Sequence, residues 1–131
     1  MNKFLSVAAL VGLFSFTGHA QTTVQYDCTG GQQFFTVPAC VTIIDVVVAG
    51  ASGGGLSGGA GASLTATLTV TPGQVLTIEA GCEGGCPGAG YPGGGGGTTA
   101  TSAGDESCGG GGYSGIFDAG GTQMIISGVG C

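Results

Sequence analysis

Basic residues are almost absent from this chain of 131 residues, which has one lysine, one histidine and no arginine or tryptophan. The lysine and the histidine are Lys3 and His19, so residues 21–131 carry no cation and contain all seven acidic residues. Such a surface cannot neutralise phosphates, which argues against nucleic-acid binding. The same absence excludes histidine general-base catalysis, lysine Schiff-base chemistry and histidine metal ligands from residues 21–131.

The first 20 residues have the pattern of a secretory signal peptide. Lys3 supplies a positive start, residues 4–16 form a short apolar run, and small residues precede the cleavage expected before Gln21. The apolar run is shorter than the roughly 20 residues that span a bilayer, and no second such run follows. We therefore expect residues 1–20 to be removed and residues 21–131 to form one exported domain without a transmembrane segment. The domain is expected outside the cell, on its surface or in the periplasm.

Six cysteines follow the leader, as is typical of proteins that fold in an oxidising compartment. None of their spacings is the CxxC of a zinc site, so we expect a structural role in disulfides and no free thiol. The sequence does not choose among the many possible pairings. Our prediction is the local set Cys28–Cys40, Cys82–Cys86 and Cys108–Cys131, with Cys82–Cys108 as an alternative.

Several short segments have the composition of β-strands, whereas no long segment after the leader has helical periodicity. Residues 32–37 predict a first strand. Residues 41–49 are rich in β-branched side chains on both faces, apart from Asp45, which predicts a strand buried on both sides. Residues 116–117 and 123–127 predict one or two short strands near the end of the chain.

The clearest strand signal is the alternation of apolar side chains with serine and threonine in residues 63–71. Residues 71–74 (TPGQ) have the composition of a type II turn, because proline presets φ at the first central position and glycine provides positive φ at the second. Residues 75–80 alternate again. We therefore predict a β-hairpin over residues 63–80.

The polar side of this alternating strand carries Thr65, Thr67 and Thr69. A row of outward threonines resembles the TxT surface of antifreeze proteins, so these three residues are candidate ligand contacts. Threonine is also common on ordinary solvent faces of strands. The sequence does not choose between the two interpretations.

Glycine accounts for 32 of the 131 residues and falls in blocks, chiefly residues 50–61 and 81–115. These blocks are compatible with flexible loops, or with ordered polyproline-II-like segments whose bare backbones pack side by side. The cysteines within the blocks favour order. We therefore expect an all-β fold: a small antiparallel sheet or sandwich with glycine-rich, polyproline-II-like loops, stapled by disulfides.

Three stretches, FFTVPACVTIIDVVVAGASGGG at 34–55, LTVTPGQVLTIEAG at 68–81 and GGGGYSGI at 109–116, resemble a glycine-rich domain family. That family occurs in secreted bacterial surface proteins and phage tail fibre proteins, and the glycine-rich extracellular region of certain receptor tyrosine kinases is distantly similar. The resemblance implies a β scaffold with glycine-rich extensions and a structural or adhesive role, without catalytic residues. The chain departs from the family at Cys40 and Cys82, where glycine is usual.

Carboxylates, hydroxyls and tyrosines are the remaining groups that could carry chemistry. The neighbouring side chains of Asp105 and Glu106 diverge, unlike the facing carboxylates of a hydrolase, and with Asp118 they lack the spacing of a calcium loop. We expect no catalytic residue, no metal site and no cofactor. Tyr91 and Tyr113, which lie among glycines, are candidates for stacking on sugars or partner surfaces, or for small local cores.

The sequence thus favours a non-enzymatic, exported structural or adhesive protein of the cell surface or extracellular matrix. Its partners would be further copies of the chain, or surface glycans and proteins. The alternative is a module that binds glycans or ice. A secreted hydrolase is the least favoured hypothesis, because general acid–base groups are so sparse.

Overall fold

The structure, a computed structural model, describes residues 21–98 and 107–131. The expected signal peptide and the Asp105-Glu106 pair lie outside the described residues. Six strands and no helix occur within them, which confirms the all-β class. The strands are β1 (Gln32–Thr36), β2 (Ile43–Ala49), β3 (Ser63–Thr69), β4 (Val75–Glu79), β5 (Ser114–Phe117) and β6 (Gln123–Ser127).

The strands form two antiparallel sheets, one of four strands in the order β1-β4-β5-β6 and one of β2 and β3. The predicted hairpin over residues 63–80 is therefore wrong, because β3 pairs with β2 and β4 pairs with β1 and β5. The connecting turn itself is as expected: the Gln74 amide donates to the Thr71 carbonyl at 2.9 Å, and Gly73 has φ 80°. A type II turn splays its flanking strands instead of matching their twist, and here it leads the chain from one sheet to the other.

The hydrophobic core lies between the two sheets, where β2 and β3 pack against β5 and β6. Its buried members are Val37, Val48, Val70, Leu76, Ile78 and Ile116. The side chains alternate as expected in β3 and β4, with the apolar positions of β4 turned inward. Both strands thus contribute one face to a single interlayer core, as in a small sandwich.

Strand β2 is not buried on both sides, in contrast to the prediction. Val48 is in the core, whereas Ile43 and Val47 point outward and are 61% and 70% exposed. A strand is buried on both faces only where a layer covers each side of its sheet. Here the four-stranded sheet packs on one side of β2. On the other side, no second layer of described residues packs against the strand.

The described cysteines form two disulfides, Cys28–Cys82 and Cys86–Cys108, and all three pairs of the predicted local set are wrong. The alternative Cys82–Cys108 is wrong as well. Pairing of β1 with β4 brings Gln32 opposite Glu79, so that the extensions of these two strands carry Cys28 and Cys82 to each other. Sheet register, which joins residues far apart in sequence, therefore decides the first bridge.

Two thiols are free and exposed, which corrects the expectation that every cysteine is bonded. Cys40 lies in the turn before β2 with φ 67°, a left-handed conformation that favours glycine. Glycine is the usual residue at this position in the family that the sequence resembles. Cys131 lies beside Gly53, in the glycine-rich part of the molecule beyond the other end of β2. The two thiols are thus near opposite ends of this strand, which is too long for one disulfide to bridge.

Beyond the sheets, glycine-rich segments lie side by side around residues 109–112, which we call the central glycine segment. Its four amides donate to three neighbouring segments. The bonds are Gly109 N to Gly85 O (2.7 Å), Gly110 N to Gly95 O (2.8 Å), Gly111 N to Gly130 O (2.8 Å) and Gly112 N to Cys82 O (2.8 Å). Residues three apart thus bond to the same neighbour, segment 82–85, which is the period of polyproline II. The hydrogen bonds give these segments defined partners, whereas their polyproline-II conformation stays a prediction.

At three of its four positions, the central glycine segment has no room for a side chain. A Cβ on Gly112 would overlap the carbonyl oxygen of Tyr91, and one on Gly111 would overlap the carbonyls of Ala51 and Ser52. The obstacles are backbone atoms, which cannot swing aside as a side chain can. Glycine is therefore required here for the close approach of backbones.

Replacement of Gly112 by alanine is expected to lower the free energy of unfolding by at least about 1–3 kcal/mol, the usual cost of forcing extra atoms into a packed site. The matched control is Gly96→Ala, since nothing lies within 4 Å of the position of its Cβ. Urea unfolding of the two variants measures the difference. Equal stability of both would contradict the close packing described here.

Removal of the disulfides tests the bridges. Loop entropy predicts a loss of about 4 kcal/mol for Cys28→Ser with Cys82→Ser and about 3 kcal/mol for Cys86→Ser with Cys108→Ser, because the first bridge spans 54 residues and the second 22. The control pair, Cys40→Ser with Cys131→Ser, removes free thiols and should leave stability unchanged. If the Cys40→Ser, Cys131→Ser variant is destabilised and the Cys28→Ser, Cys82→Ser variant is as stable as wild type, the cysteines pair differently from this structure.

Candidate binding sites

The outer side of the two-stranded sheet carries a row of aliphatic and acidic side chains beside a row of threonines. We call this surface the β2–β3 face. Its residues are Ile43, Asp45 and Val47 on β2 and Thr65, Thr67 and Thr69 on β3. All six are exposed, so the outward orientation expected for the three threonines is confirmed.

The register of the two strands places each threonine directly opposite a residue of β2. Ile43 faces Thr69, Asp45 faces Thr67, and Val47 faces Thr65. The Thr67 hydroxyl donates to the Asp45 carboxylate at 2.6 Å. The centre of the face is therefore charged and hydrogen-bonded, and its two ends each pair an aliphatic side chain with a threonine.

Both strands of this sheet are edge strands within the part of the chain that the structure describes, because there β2 and β3 pair only with each other. An edge strand presents unpaired amides and carbonyls that can accept a further strand. Asp45 is the one charged residue of β2, and β3 has none. The β3 edge thus lacks the charges that proteins commonly use to prevent strand addition.

A second site is a cleft of about 410 Å³ on the four-stranded sheet, which we call the Glu79 cleft. Its lining residues are Gln32, Thr77, Glu79, Tyr113, Phe117, Asp118, Ala119, Gly120 and Gly121. Thr77 and Glu79 alternate along β4 with the core residues Leu76 and Ile78. The cleft therefore lies on the side of the sheet that faces away from the interlayer core.

Glu79 is only 8% exposed, and residues 21–98 and 107–131 contain no cationic side chain that could pair with it. Its carboxylate accepts a hydrogen bond from the Tyr113 hydroxyl at 2.6 Å and another from the Gln32 side-chain amide at 2.9 Å. A buried carboxylate needs such donors because its desolvation is costly. In a chain whose residues 21–131 lack cations, neutral donors take this role.

The hydrogen bond with Glu79 also determines the acidity of Tyr113. The bond, together with burial and the negative charge of Glu79, raises the pKa of Tyr113 to about 12. Tyr113 therefore keeps its proton in mildly alkaline solution, and its hydroxyl continues to donate a hydrogen bond to the Glu79 carboxylate.

Two aromatic rings form the less polar part of the cleft. Tyr113 and Phe117 meet edge to face, with ring centroids 6.5 Å apart and planes at 63°. Each ring lies against a glycine: a Cβ on Gly93 would be 3.0 Å from the Tyr113 ring, and one on Gly115 would be 3.0 Å from the Phe117 ring. The glycine blocks thus make space for the rings.

The other candidates from the sequence are placed differently. Tyr91 is half-buried, its carbonyl accepts the Cys82 amide at 2.6 Å, and it does not line the cleft. One carboxylate oxygen of Asp118 accepts the amides of Gly120 and Thr122 at 2.9 and 2.8 Å, which closes the turn between β5 and β6. Within residues 21–98 and 107–131, no three metal-ligating side chains cluster.

Sequence reasoning missed Glu79, Gln32 and Phe117. The alternation of β4 places Glu79 opposite the core residues, which suggests an exposed position. The glycine-rich segment that brings Tyr113 over Glu79 has no periodic signal in the sequence. The chemistry of the cleft therefore emerges only from the tertiary structure.

Comparison with models of known protein families, with characterised proteins and with solved structures finds no match for this chain. The resemblance to the glycine-rich domain family therefore stays a prediction. Among the residues that the structure describes, no helix is long and apolar enough to cross a membrane.

The Tyr113–Glu79 bond predicts how stability changes at alkaline pH. Unfolded tyrosine loses its proton near pH 10, whereas folded Tyr113 keeps it until about pH 12. The stabilisation that protonated Tyr113 gives the folded state is therefore complete below pH 10. The free energy of unfolding should fall as pH rises from 10 to 12. In Glu79→Gln, tyrosinate absorbance should show Tyr113 titrating at lower pH. The control Asp45→Asn should not move it, and an unshifted Glu79→Gln titration would contradict the assignment.

Proposed function

We propose that this chain is a non-enzymatic, exported structural or adhesive protein that associates with further copies of itself through the β2–β3 face and the β3 edge. The observation that carries the proposal is the exposure of Ile43 and Val47 beside a threonine row on a sheet with two open edges. Two disulfides in the described residues support a location in an oxidising compartment.

The outer side of β2 exposes two aliphatic side chains, Ile43 and Val47, for most of their surface. Ile43 and Val47 lie on the same side of β2 and flank Asp45. Asp45 divides this surface, so each end of the face offers a small apolar area, Ile43 with Thr69 or Val47 with Thr65, for contact with a partner. The open edge beside it offers backbone hydrogen bonds in addition to apolar contact.

The distribution of charge favours β3 as the strand through which two copies pair. The whole chain is acidic, so contact between copies requires a region without like charges. Strand β3 is such a region, since Ser63–Thr69 contains only serine, threonine, alanine and leucine. If β3 pairs with β3 of another copy, the two Asp45 carboxylates are separated by three strand spacings, about 14 Å. That distance exceeds the screening length of about 8 Å in physiological salt.

Pairing between two β3 strands would also bring their threonine rows together on one continuous face. Thr–Thr pairs across neighbouring strands contribute about 0.2–1 kcal/mol each relative to alanine pairs. The contact is symmetric, because each copy offers the same strand to the other. A four-stranded sheet formed in this way would present Ile43 and Val47 of both copies on one surface, where face-to-face contact with further copies would enlarge the assembly.

The ice-binding alternative receives less support from the β2–β3 face. Only one row of three threonines is present, and the hydroxyl of its central member, Thr67, already donates to Asp45. A carboxylate in the middle of the face holds its own hydration shell, which disfavours a flat contact with ice.

The hydrolase hypothesis also gains little. Both oxygens of Glu79 accept hydrogen bonds from neutral donors, and one oxygen of Asp118 is engaged by two backbone amides. A glycosidase needs a carboxylic acid that donates a proton, opposite a second carboxylate across the substrate. Neither carboxylate of the cleft is arranged as such a donor.

Replacement of Val47 by lysine tests the proposed self-association. The wild-type chain should form assemblies larger than the β3-paired dimer in a concentration-dependent manner. Val47→Lys should limit it to that dimer, because a strongly hydrated charge replaces an apolar contact on the β2–β3 face. Static light scattering and sedimentation measure the change. Val24→Lys is the control, since Val24 is 53% exposed and lies outside both sheets.

A wild-type chain that stays monomeric at millimolar concentration would contradict the proposal. So would a Val24→Lys variant that dissociates as readily as Val47→Lys, because net charge alone would then explain the effect. Folding of each variant is checked by its urea midpoint, so that loss of assembly is not mistaken for unfolding.

A further inference from the structure

We propose that the Glu79 cleft binds an uncharged sugar ring, which would give the protein a glycan-binding site separate from its self-association surface. This inference goes beyond the proposed function, since the cleft lies on the four-stranded sheet and the β2–β3 face lies on the other sheet. The ligand class follows from three properties of the cleft: its hydrogen-bonding groups, its aromatic wall and its charge.

The polar groups of the cleft have capacity left for hydroxyl groups of a ligand. Each oxygen of Glu79 accepts one hydrogen bond and retains a further lone pair. The Gln32 amide uses one of its two N–H groups on Glu79, and the second oxygen of Asp118 is not used in the turn. Thr77 adds a hydroxyl that both donates and accepts. A ring with several hydroxyls supplies the complementary donors and acceptors.

These polar groups are held in place before a ligand arrives. Glu79 is fixed between Tyr113 and Gln32, and Asp118 is fixed by the turn that it closes. Sites whose groups are already positioned lose less entropy on binding. A weak, multiply hydrogen-bonded ligand such as a sugar gains most from this arrangement.

The aromatic part of the cleft suits the less polar side of a sugar ring. Phe117 lies against Gly115 and meets Tyr113 edge to face, so that both rings have defined positions. Aromatic faces contribute apolar contact without demanding hydrogen bonds. The volume of about 410 Å³ is within the range of small-molecule sites and accommodates one or two sugar rings.

The charge of the cleft selects among sugars. Among the described residues that line the cleft, Glu79 and Asp118 carry the carboxylates, and residues 21–131 contain no lysine, arginine or histidine to offset them. Uronic acids and sulfated sugars would therefore be repelled. Neutral sugars are not repelled. Their hydroxyls can bond to the side-chain oxygens and amide of the cleft, whereas a simple ammonium ion has no hydroxyl and would leave the amide donor unused.

The test is a titration of the isotope-labelled chain with glucose, cellobiose, maltose and di-N-acetylchitobiose. Changes in the NMR chemical shifts of the backbone amides report binding. Glucuronic acid and n-butylammonium serve as charged probes. We expect saturable shifts at Gly120 and Gly121 with at least one neutral sugar, and none with glucuronic acid. Phe117→Leu and Glu79→Gln should each weaken that binding by about tenfold or more, through loss of apolar contact or of a charged acceptor.

Phe34→Leu is the matched control, because Phe34 is an exposed aromatic residue of the same sheet that does not line the cleft. Thr77→Ala replaces Glu79→Gln if the latter does not fold. No shift with any neutral sugar, shifts with n-butylammonium alone, or binding that the cleft variants leave unchanged would each overturn the proposal. Val47→Lys should bind sugar as tightly as wild type does, because Val47 lies on the other sheet. A loss of self-association in this variant can therefore be distinguished from a loss of sugar binding in the cleft variants.

Discussion

Close approach of glycine backbones is the constraint on which the rest of this structure depends. The central glycine segment bonds to three neighbours at once, and side chains on Gly109, Gly111 or Gly112 would overlap carbonyls of adjacent backbones. The same contact places Gly109 beside Gly85, which lets Cys86 and Cys108 join. It also carries the chain directly into Tyr113, whose hydroxyl bonds to Glu79. One disulfide and the cleft therefore follow from a packing that only glycine permits.

The shortage of cations has consequences at both candidate sites. Glu79 is buried with Tyr113 and Gln32 as its donors, and the pKa of Tyr113 rises to about 12 as a result. On the other sheet, Asp45 has a threonine hydroxyl as its partner. An acidic protein of this kind favours contact at surfaces that lack charge, such as β3, or with ligands that carry none.

Unequal coverage of the two sheets explains where binding surfaces can form. The inner face of the β2–β3 sheet packs on the larger sheet, whereas its outer face leaves Ile43 and Val47 exposed. On the far side of the larger sheet, Tyr113, which follows the central glycine segment, and Gln32 bond to the buried Glu79, and a cleft lies beside them. Self-association and sugar binding are thus proposed on opposite layers of one small core, where neither needs to obstruct the other.

The sequence by itself determined the all-β class, the alternation of β3 and β4 and the turn at Gly73, because each is a local property of side-chain period or backbone φ. It could not determine that β3 and β4 belong to different sheets, since a turn signal fixes the bend and not the partner strand. The disulfides, the exposed side of Val47 and the burial of Glu79 were likewise decided by tertiary structure. All three depend on which segments, distant in sequence, are in contact. Glycine has no side chain, so the glycine-rich segments show no periodic pattern from which these contacts could be predicted.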